Sequence, residues 1–173
     1  MFGRSQIVHF AALLALLSPA LATVYRVDSR SPQEILDDGG FKAWNPQGTG
    51  SVIDHVKNKL GDQDPWVSTT SSEDFAKSGA TYPGNSYVYH ISENGIKLVD
   101  TKKAFEEAGE VHPNPAEKEF SVKGEITWDS IIKWDVYNNK NKKISDQTRD
   151  DFEDGQEDKK RSVPLVRSVK FRV

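Results

Sequence analysis

The sequence predicts an α+β fold, and three observations carry that expectation. Short β-branched or aromatic runs recur along the chain, at residues 24–27, 66–70 and 86–91 among others. Helical spacing appears only in short segments, opened by a capping residue or closed by glycine. There are no internal repeats and no cysteine, so neither a solenoid nor a disulfide scaffold is encoded, and thiolate metal sites are excluded. The 173 residues carry 23 Lys and Arg against 26 Asp and Glu, a net charge of −3. That is one domain's length, and its mild acidity argues against general attraction to nucleic acid or anionic lipid.

Residues 1–22 read as a signal peptide rather than as part of the fold. Arg4 supplies a positive start, residues 7–17 form an apolar stretch, and Ala20-Leu21-Ala22 offers a small-residue cleavage site. The apolar run is shorter than the ~20 residues that span a bilayer. The expectation is a secreted, extracellular chain beginning at Thr23, with net charge about −4 once Arg4 is lost and no membrane association after processing. A domain of this size folds on its core without disulfides.

The elements follow in order. Residues 24–27 form an opening strand. Ser31-Pro32-Gln33-Glu34 has the capping-box pattern with proline at the first helical position, and Gly39-Gly40 stops that helix within two turns. Residues 41–51 are rich in Gly, Asn and Pro and read as loop. Val52, Ile53, Val56 and Leu60 keep helical spacing up to Gly61. Residues 66–70 form a strand, 72–77 a short helix capped by Ser72, and 86–91 the clearest strand, with Tyr87, Tyr89 and Ile91 on one face. A strand at 96–99, a helix at 101–108 and a proline-bearing loop at 111–116 lead into strands at 120–122 and 126–137. Residues 138–143 are a polar, basic turn. Residues 146–158 are dominated by carboxylates, with Phe152 as their only apolar side chain, which predicts a mobile or weakly helical segment. The expected organisation is therefore a signal peptide at 1–22, a catalytic domain at 23–145, and an acidic segment with a basic tail at 146–173. In that tail, Lys160-Arg161 matches a dibasic processing site, while residues 163–173 alternate like a last edge strand; both readings stand.

Three motifs in fixed order carry the chemistry: Tyr25-Arg26-Val27-Asp28-Ser29-Arg30, Trp66-Val67-Ser68-Thr69-Thr70-Ser71, and Glu117-Lys118-Glu119. Singly each is ordinary: a salt-bridged strand end, plain strand residues, a solvated edge. Together, with Gly39-Gly40, Ile53-Asp54-His55, Tyr87-Val88-Tyr89 and the Pro115-Ala116 that precedes Glu117, they resemble the enzymatic A chains of cholera toxin and the heat-labile enterotoxins, mono-ADP-ribosyltransferases of the Arg-Ser-Glu class. The resemblance runs from residue 24 to about residue 137.

That resemblance implies an ADP-ribosyltransferase fold: two small, mostly antiparallel sheets in a split sandwich with short peripheral helices, and NAD as co-substrate in the cleft between them. Nicotinamide departure from the ribose builds an oxocarbenium ion. Glu119 corresponds to the carboxylate that stabilises it, and a unit charge ~4 Å away is worth about 4 kcal/mol in a partly buried site. Arg26 binds the diphosphate or supports the site's hydrogen bonds. Ser68 holds Glu119, and Val27, Asp28 and Thr69 line the nucleotide site. Glu117 shares a face with Glu119 if the segment is extended. In the family, a Glu there goes with arginine acceptors, because a protonated guanidinium needs a carboxylate to accept its proton. A Gln goes with other acceptors, nucleic-acid bases included. His55 positions an active-site loop or the acceptor.

The expected function is transfer of ADP-ribose from NAD to an arginine side chain of a target host protein, by a secreted toxin or effector. The alternatives are a NAD glycohydrolase and a catalytically silent binding effector on the same scaffold. A nucleic-acid partner is not expected, given the acidic charge and Glu117. No metal is expected either, because the histidines lack ligand spacing and the carboxylates at 146–158 lack a calcium-loop pattern. The enterotoxin's disulfide-linked, receptor-binding part has no counterpart in this sequence, so any entry into a target cell is expected to use a separate partner or another route.

Overall fold

The computed structural model describes residues 22–162. The expected signal peptide up to Leu21 and the alternating tail at 163–173 lie outside the described residues. Among the described residues no helix is long and apolar enough to cross a membrane.

The chain opens with β1 (Thr23–Asp28), then α1 (Pro32–Asp37) and β2 (Gly40–Lys42). The capping box of α1 forms as its sequence requires: the Ser31 side chain accepts from the Glu34 amide, and the Glu34 carboxylate accepts from Ser31 N at 2.7 Å. Gly39 and Gly40 then turn the chain with φ of 77° and 129°. At Gly40 no side chain is possible, because a Cβ would lie 2.1 Å from the Ile126 carbonyl of the paired strand. Next come α2 (Val52–Val56), β3 (Trp66–Thr70), α3 (Glu73–Ser78), β4 (Ser86–Ser92), β5 (Leu98–Asp100) and α4 (Thr101–Glu107). The last five elements are β6 (Glu119–Lys123), β7 (Glu125–Thr127), β8 (Ile131–Tyr137), β9 (Lys143–Thr148) and α5 (Arg149–Ser162).

All strand pairs are antiparallel. Seven strands form a sheet in the order β5-β6-β3-β1-β4-β8-β9, and β2 pairs with β7 in a second, small sheet. The large sheet is itself nearly split. β1 pairs with β4 from Thr23↔Ser92 to Asp28↔Tyr87, but meets β3 only at Tyr25↔Thr70. The expected opening between two sheets is thus an opening within one, between a three-stranded half and a four-stranded half.

The core lies along the large sheet and draws on both halves, with Val67 and Val122 from the three-stranded one. Tyr89 and Ile91 of β4, Trp134 of β8, Ile35 of α1, Phe41 of β2 and Ile126 of β7 are each at most 1% exposed. Tyr89 is therefore a core residue, as its alternation suggests, and its hydroxyl donates to the Arg30 carbonyl at 2.7 Å.

Two segments differ from expectation. The helix expected through Leu60 ends at Val56, because Asn58 adopts a left-handed conformation (φ 53°) that an α-helix cannot continue. The acidic segment takes the helical one of the two forms expected of it, but it begins as a strand. Its first residues complete β9, pairing with β8 as far as Lys133↔Thr148, so the expected division after residue 145 falls inside a strand. The rest forms α5, docked through the one apolar residue that composition undervalued. The Phe152 ring sits 5.3 Å from Trp134, edge to face, and 5.9 Å from Trp128. Trp128 Nε1 also donates to Glu153 at 2.6 Å. Phe152→Ala is expected to cost about 2 kcal/mol, since the ring is half-buried, and to lower Tm by several degrees in a thermal melt.

Candidate active site

The cleft forms where β1 and β3 part. Beyond Tyr25↔Thr70 the ladder stops, and the Ser68 carbonyl loses the partner a regular sheet would give it. Arg26 fills the gap: its Nη1 donates to that carbonyl at 2.9 Å. This contact is of the kind expected if Arg26 supports the site's hydrogen bonds. Behind it lies Asp28, 8% exposed. Its carboxylate accepts from Arg30 N at 3.0 Å, Nε at 3.1 Å and Nη2 at 2.9 Å, and pairs with Arg26 Nη2 at 3.4 Å. Burial pushes this carboxyl upward, but the Arg30 bonds outweigh it and hold it below the usual range. Asp28 is expected to line the nucleotide site; in this structure its carboxylate bonds the two arginines beside it. Its oxygens align Arg26, which borders the cleft, and Arg30.

Glu119 opens β6 opposite Thr70, and Ser68 stands opposite Ser121 on the same pair of strands. With a period of two, Glu119 and Ser121 share a face, which brings both serines to the carboxylate. Ser121 Oγ donates to Glu119 Oε1 at 3.1 Å. His55 reaches over from α2: its Nε2 is 3.3 Å from Glu119 Oε1 and 2.9 Å from Ser68 Oγ, while its Nδ1 is 2.6 Å from Asp64 Oδ2. His55 therefore touches the Glu119 carboxylate directly, besides any part it has in placing a loop or the acceptor.

The electrostatics follow from these contacts. Burial alone would raise the Glu119 pKa, but bonds from His55, Ser68 and Ser121 bring it below the ordinary value. Burial would lower His55, and its bonds to Glu119 and Asp64 raise it instead. Imidazolium between two carboxylates is the favoured state. Its stabilisation is complete below the ordinary imidazole pKa and disappears as pH rises through the higher folded value. Glu119 contributes above the ordinary carboxylate range and loses that contribution as pH falls through its lower folded value. Asp64→Asn is expected to cost about 1–2 kcal/mol of unfolding free energy near pH 6, with the difference from wild type shrinking toward pH 9. Urea unfolding at several pH values measures it, and a pH-independent difference would remove the ion pair from the account.

Glu117 reaches the same cleft by a different backbone from the one expected. The segment is not extended: residues Pro115–Glu117 form a 3₁₀ turn and Lys118 is left-handed (φ 47°). The two glutamates converge because the turn folds back, with the Glu117 carbonyl accepting from Thr70 Oγ1 at 2.6 Å. Burial, and then the Glu119 charge, raise the Glu117 pKa. One half-exposed carboxyl disposed to hold a proton thus stands near one buried carboxylate disposed to lose it.

The resulting cleft encloses about 290 Å³, at the small end of ligand sites. Arg26, Val27, His55, Ser68, Thr69, Glu117 and Glu119 all border it, with Tyr25, Phe75 and Asn114. Thr69 presents itself there, though its hydroxyl already donates to the Phe120 carbonyl at 2.7 Å. Sequence reasoning missed Ser121 and Asp64. The first was available from the period of two after Glu119. The second carries no signal, since it meets His55 only through the loop that follows α2. Elsewhere Glu73, His90 and Asp135 place ligand-type atoms within 4.8 Å of one another, but Lys77 pairs with Glu73 at 2.8 Å and Lys143 with Asp135 at 2.9 Å. The lysines balance both carboxylates, and the group reads as an ion-pair network.

Comparison with known proteins bears on the family and the fold. A family model described as Scabin-like matches residues 24–152. The curated NAD(+)--arginine ADP-ribosyltransferase Chelt of Vibrio cholerae is 34% identical over 135 residues, 66% of this chain and 21% of that protein. The chain thus spans about a fifth of that relative's length. A guanine-specific ADP-ribosyltransferase of known structure is 27% identical, with TM-score 0.59, covering 73% of this chain and 74% of the other. The A subunit of heat-labile enterotoxin, in a variant form, is 23% identical, with TM-score 0.59, over 75% of this chain and 77% of the other. The antiparallel α+β architecture is the ADP-ribosyltransferase fold.

Proposed function

The chain belongs to the Scabin-like family, and from that premise we propose that it transfers ADP-ribose from NAD to an arginine side chain of a target protein. The observation that carries this reading is the convergence of Glu117 and Glu119 on one cleft with their pKa values displaced in opposite directions. Opposite displacement assigns different roles to two like groups.

In the reaction, the bond between nicotinamide and the ribose anomeric carbon breaks, and positive charge develops on the sugar. Glu119, kept ionised by His55, Ser68 and Ser121, faces that charge with bonds already in place, so no reorganisation is needed as it appears. The acceptor guanidinium is protonated and cannot attack until it loses a proton. Glu117 accepts that proton as the new nitrogen–carbon bond forms, and its raised pKa makes it the better base of the pair. Arg26 holds β1 and β3 at the separation the cleft needs.

Purified chain with labelled NAD tests the reading when agmatine, a guanine nucleotide or water alone is offered. Labelled agmatine is the expected result. Labelled guanine would move the acceptor to that of the structural relative active on guanine. Nicotinamide release without either product would mean a glycohydrolase, and no NAD binding in calorimetry a silent effector. We further propose secretion. Arg4, the apolar run at 7–17 and Ala20-Leu21-Ala22 support it, and intact mass of the product from a secreting host would test it.

A further inference from the structure

His112 lies outside the three motifs, yet it fastens the segment that carries both glutamates. Its ring is 7% exposed, packed against Phe105 of α4 with ring centroids 4.8 Å apart. The Asn114 backbone N–H donates to His112 Nδ1 at 3.0 Å. An amide nitrogen can only donate, so Nδ1 carries no proton, and the ring hydrogen sits on Nε2. Nε2 is 2.9 Å from Thr101 Oγ1, a fully buried hydroxyl, which in turn donates to the Glu119 carbonyl at 3.0 Å. One imidazole thereby ties Asn114, just before the Pro115–Glu117 turn, to Glu119, two residues after it.

We infer that His112 is a positioning residue of the transfer step, clasping the turn that aims Glu117 at the acceptor. The inference rests on the arginine-transfer reading for its consequence, though not for the clasp itself. The two glutamates depend on it unequally. Glu119 is also held by pairing with Thr70, by Ser121 and by His55. Glu117 has its turn hydrogen bond to Asn114 O at 3.1 Å and the Thr70 bond to its carbonyl, both backbone contacts on a segment that His112 closes. Loosening the clasp therefore misaims Glu117 before it disturbs Glu119.

Three measurements decide it. Imidazole ¹⁵N shifts of the folded chain should report the Nε2–H tautomer for His112. His112→Phe keeps the ring and loses both bonds; the Glu117 amide should exchange with solvent about tenfold faster. In that variant agmatine labelling should fall on the order of 10–100-fold while nicotinamide release into water falls by less than about fivefold. Unchanged Glu117 exchange, or an equal fall in both activities, overturns the inference. If His112→Phe does not fold, Thr101→Val and Thr101→Ser decide: Ser restores the hydroxyl link and should restore labelling, and a Ser variant no better than Val overturns it. Should wild type label no agmatine, the arginine reading fails, while amide exchange still decides the clasp.

Discussion

Glu119→Gln is expected to slow nicotinamide release on the order of 10³-fold while NAD binding changes only a few-fold. The substitution keeps the shape and one acceptor oxygen for Ser121, and removes the charge. About 4 kcal/mol of interaction with a cation ~4 Å away is lost, and at 1.36 kcal/mol per factor of ten this is three decades of rate. Bound NAD carries that charge far less than the transition state does, so the loss belongs in kcat rather than in the dissociation constant. A second consequence follows from the ion pairs. With Glu119 neutral, His55 keeps only Asp64 as a charged partner, and its pKa falls from its raised value toward the ordinary one. Single-turnover release of labelled nicotinamide, calorimetry with NAD and titration of the His55 ring by NMR measure the three effects. A fall in rate of less than tenfold would show that Glu119 does not face the developing cation.

What could be read from the residues and what could not divides along physical lines. Local rules sufficed where the chain interacts with itself nearby. The Ser31 capping box, the glycine stop after α1, the strand at Trp66–Thr70 and the buried Tyr89 all follow from spacing and residue type. Arg26, Ser68, Glu117 and Glu119 stand out in the sequence as ordered motifs, and the fold brings them to one cleft. Failures came where a contact spans unrelated segments. Asp64 reaches His55 only after α2 stops early at Asn58 and the chain doubles back. Phe152 looks isolated among carboxylates until Trp128 and Trp134 are placed beside it. The Glu-x-Glu spacing suggested a strand with both side chains on one face. The actual turn achieves the convergence through a left-handed Lys118, a conformation that residue type does not announce.

Glu117→Gln separates transfer from hydrolysis. Nicotinamide release into water is expected to stay within a few-fold of wild type, because Glu119 and its bonds to His55 and Ser121 are untouched. Agmatine labelling is expected to fall by 10²–10⁴-fold, the usual contribution of a positioned proton acceptor. The pH profile supplies an independent signature. Burial, reinforced by the Glu119 charge, raises the Glu117 pKa, so the wild-type chain loses its base form at a higher pH than an ordinary carboxylate would. Transfer should therefore decline on acidification while hydrolysis, which depends on the low-pKa Glu119, persists to lower pH. In Glu117→Gln the residual transfer should show no such acid limb. A common acid limb for both wild-type activities would place the controlling proton on Glu119 instead. Equal loss of both activities in the variant would mean that Glu117 acts before the paths diverge, at NAD binding or cleavage. Selective loss with the limb removed would make Glu117 the group that admits arginine as an acceptor.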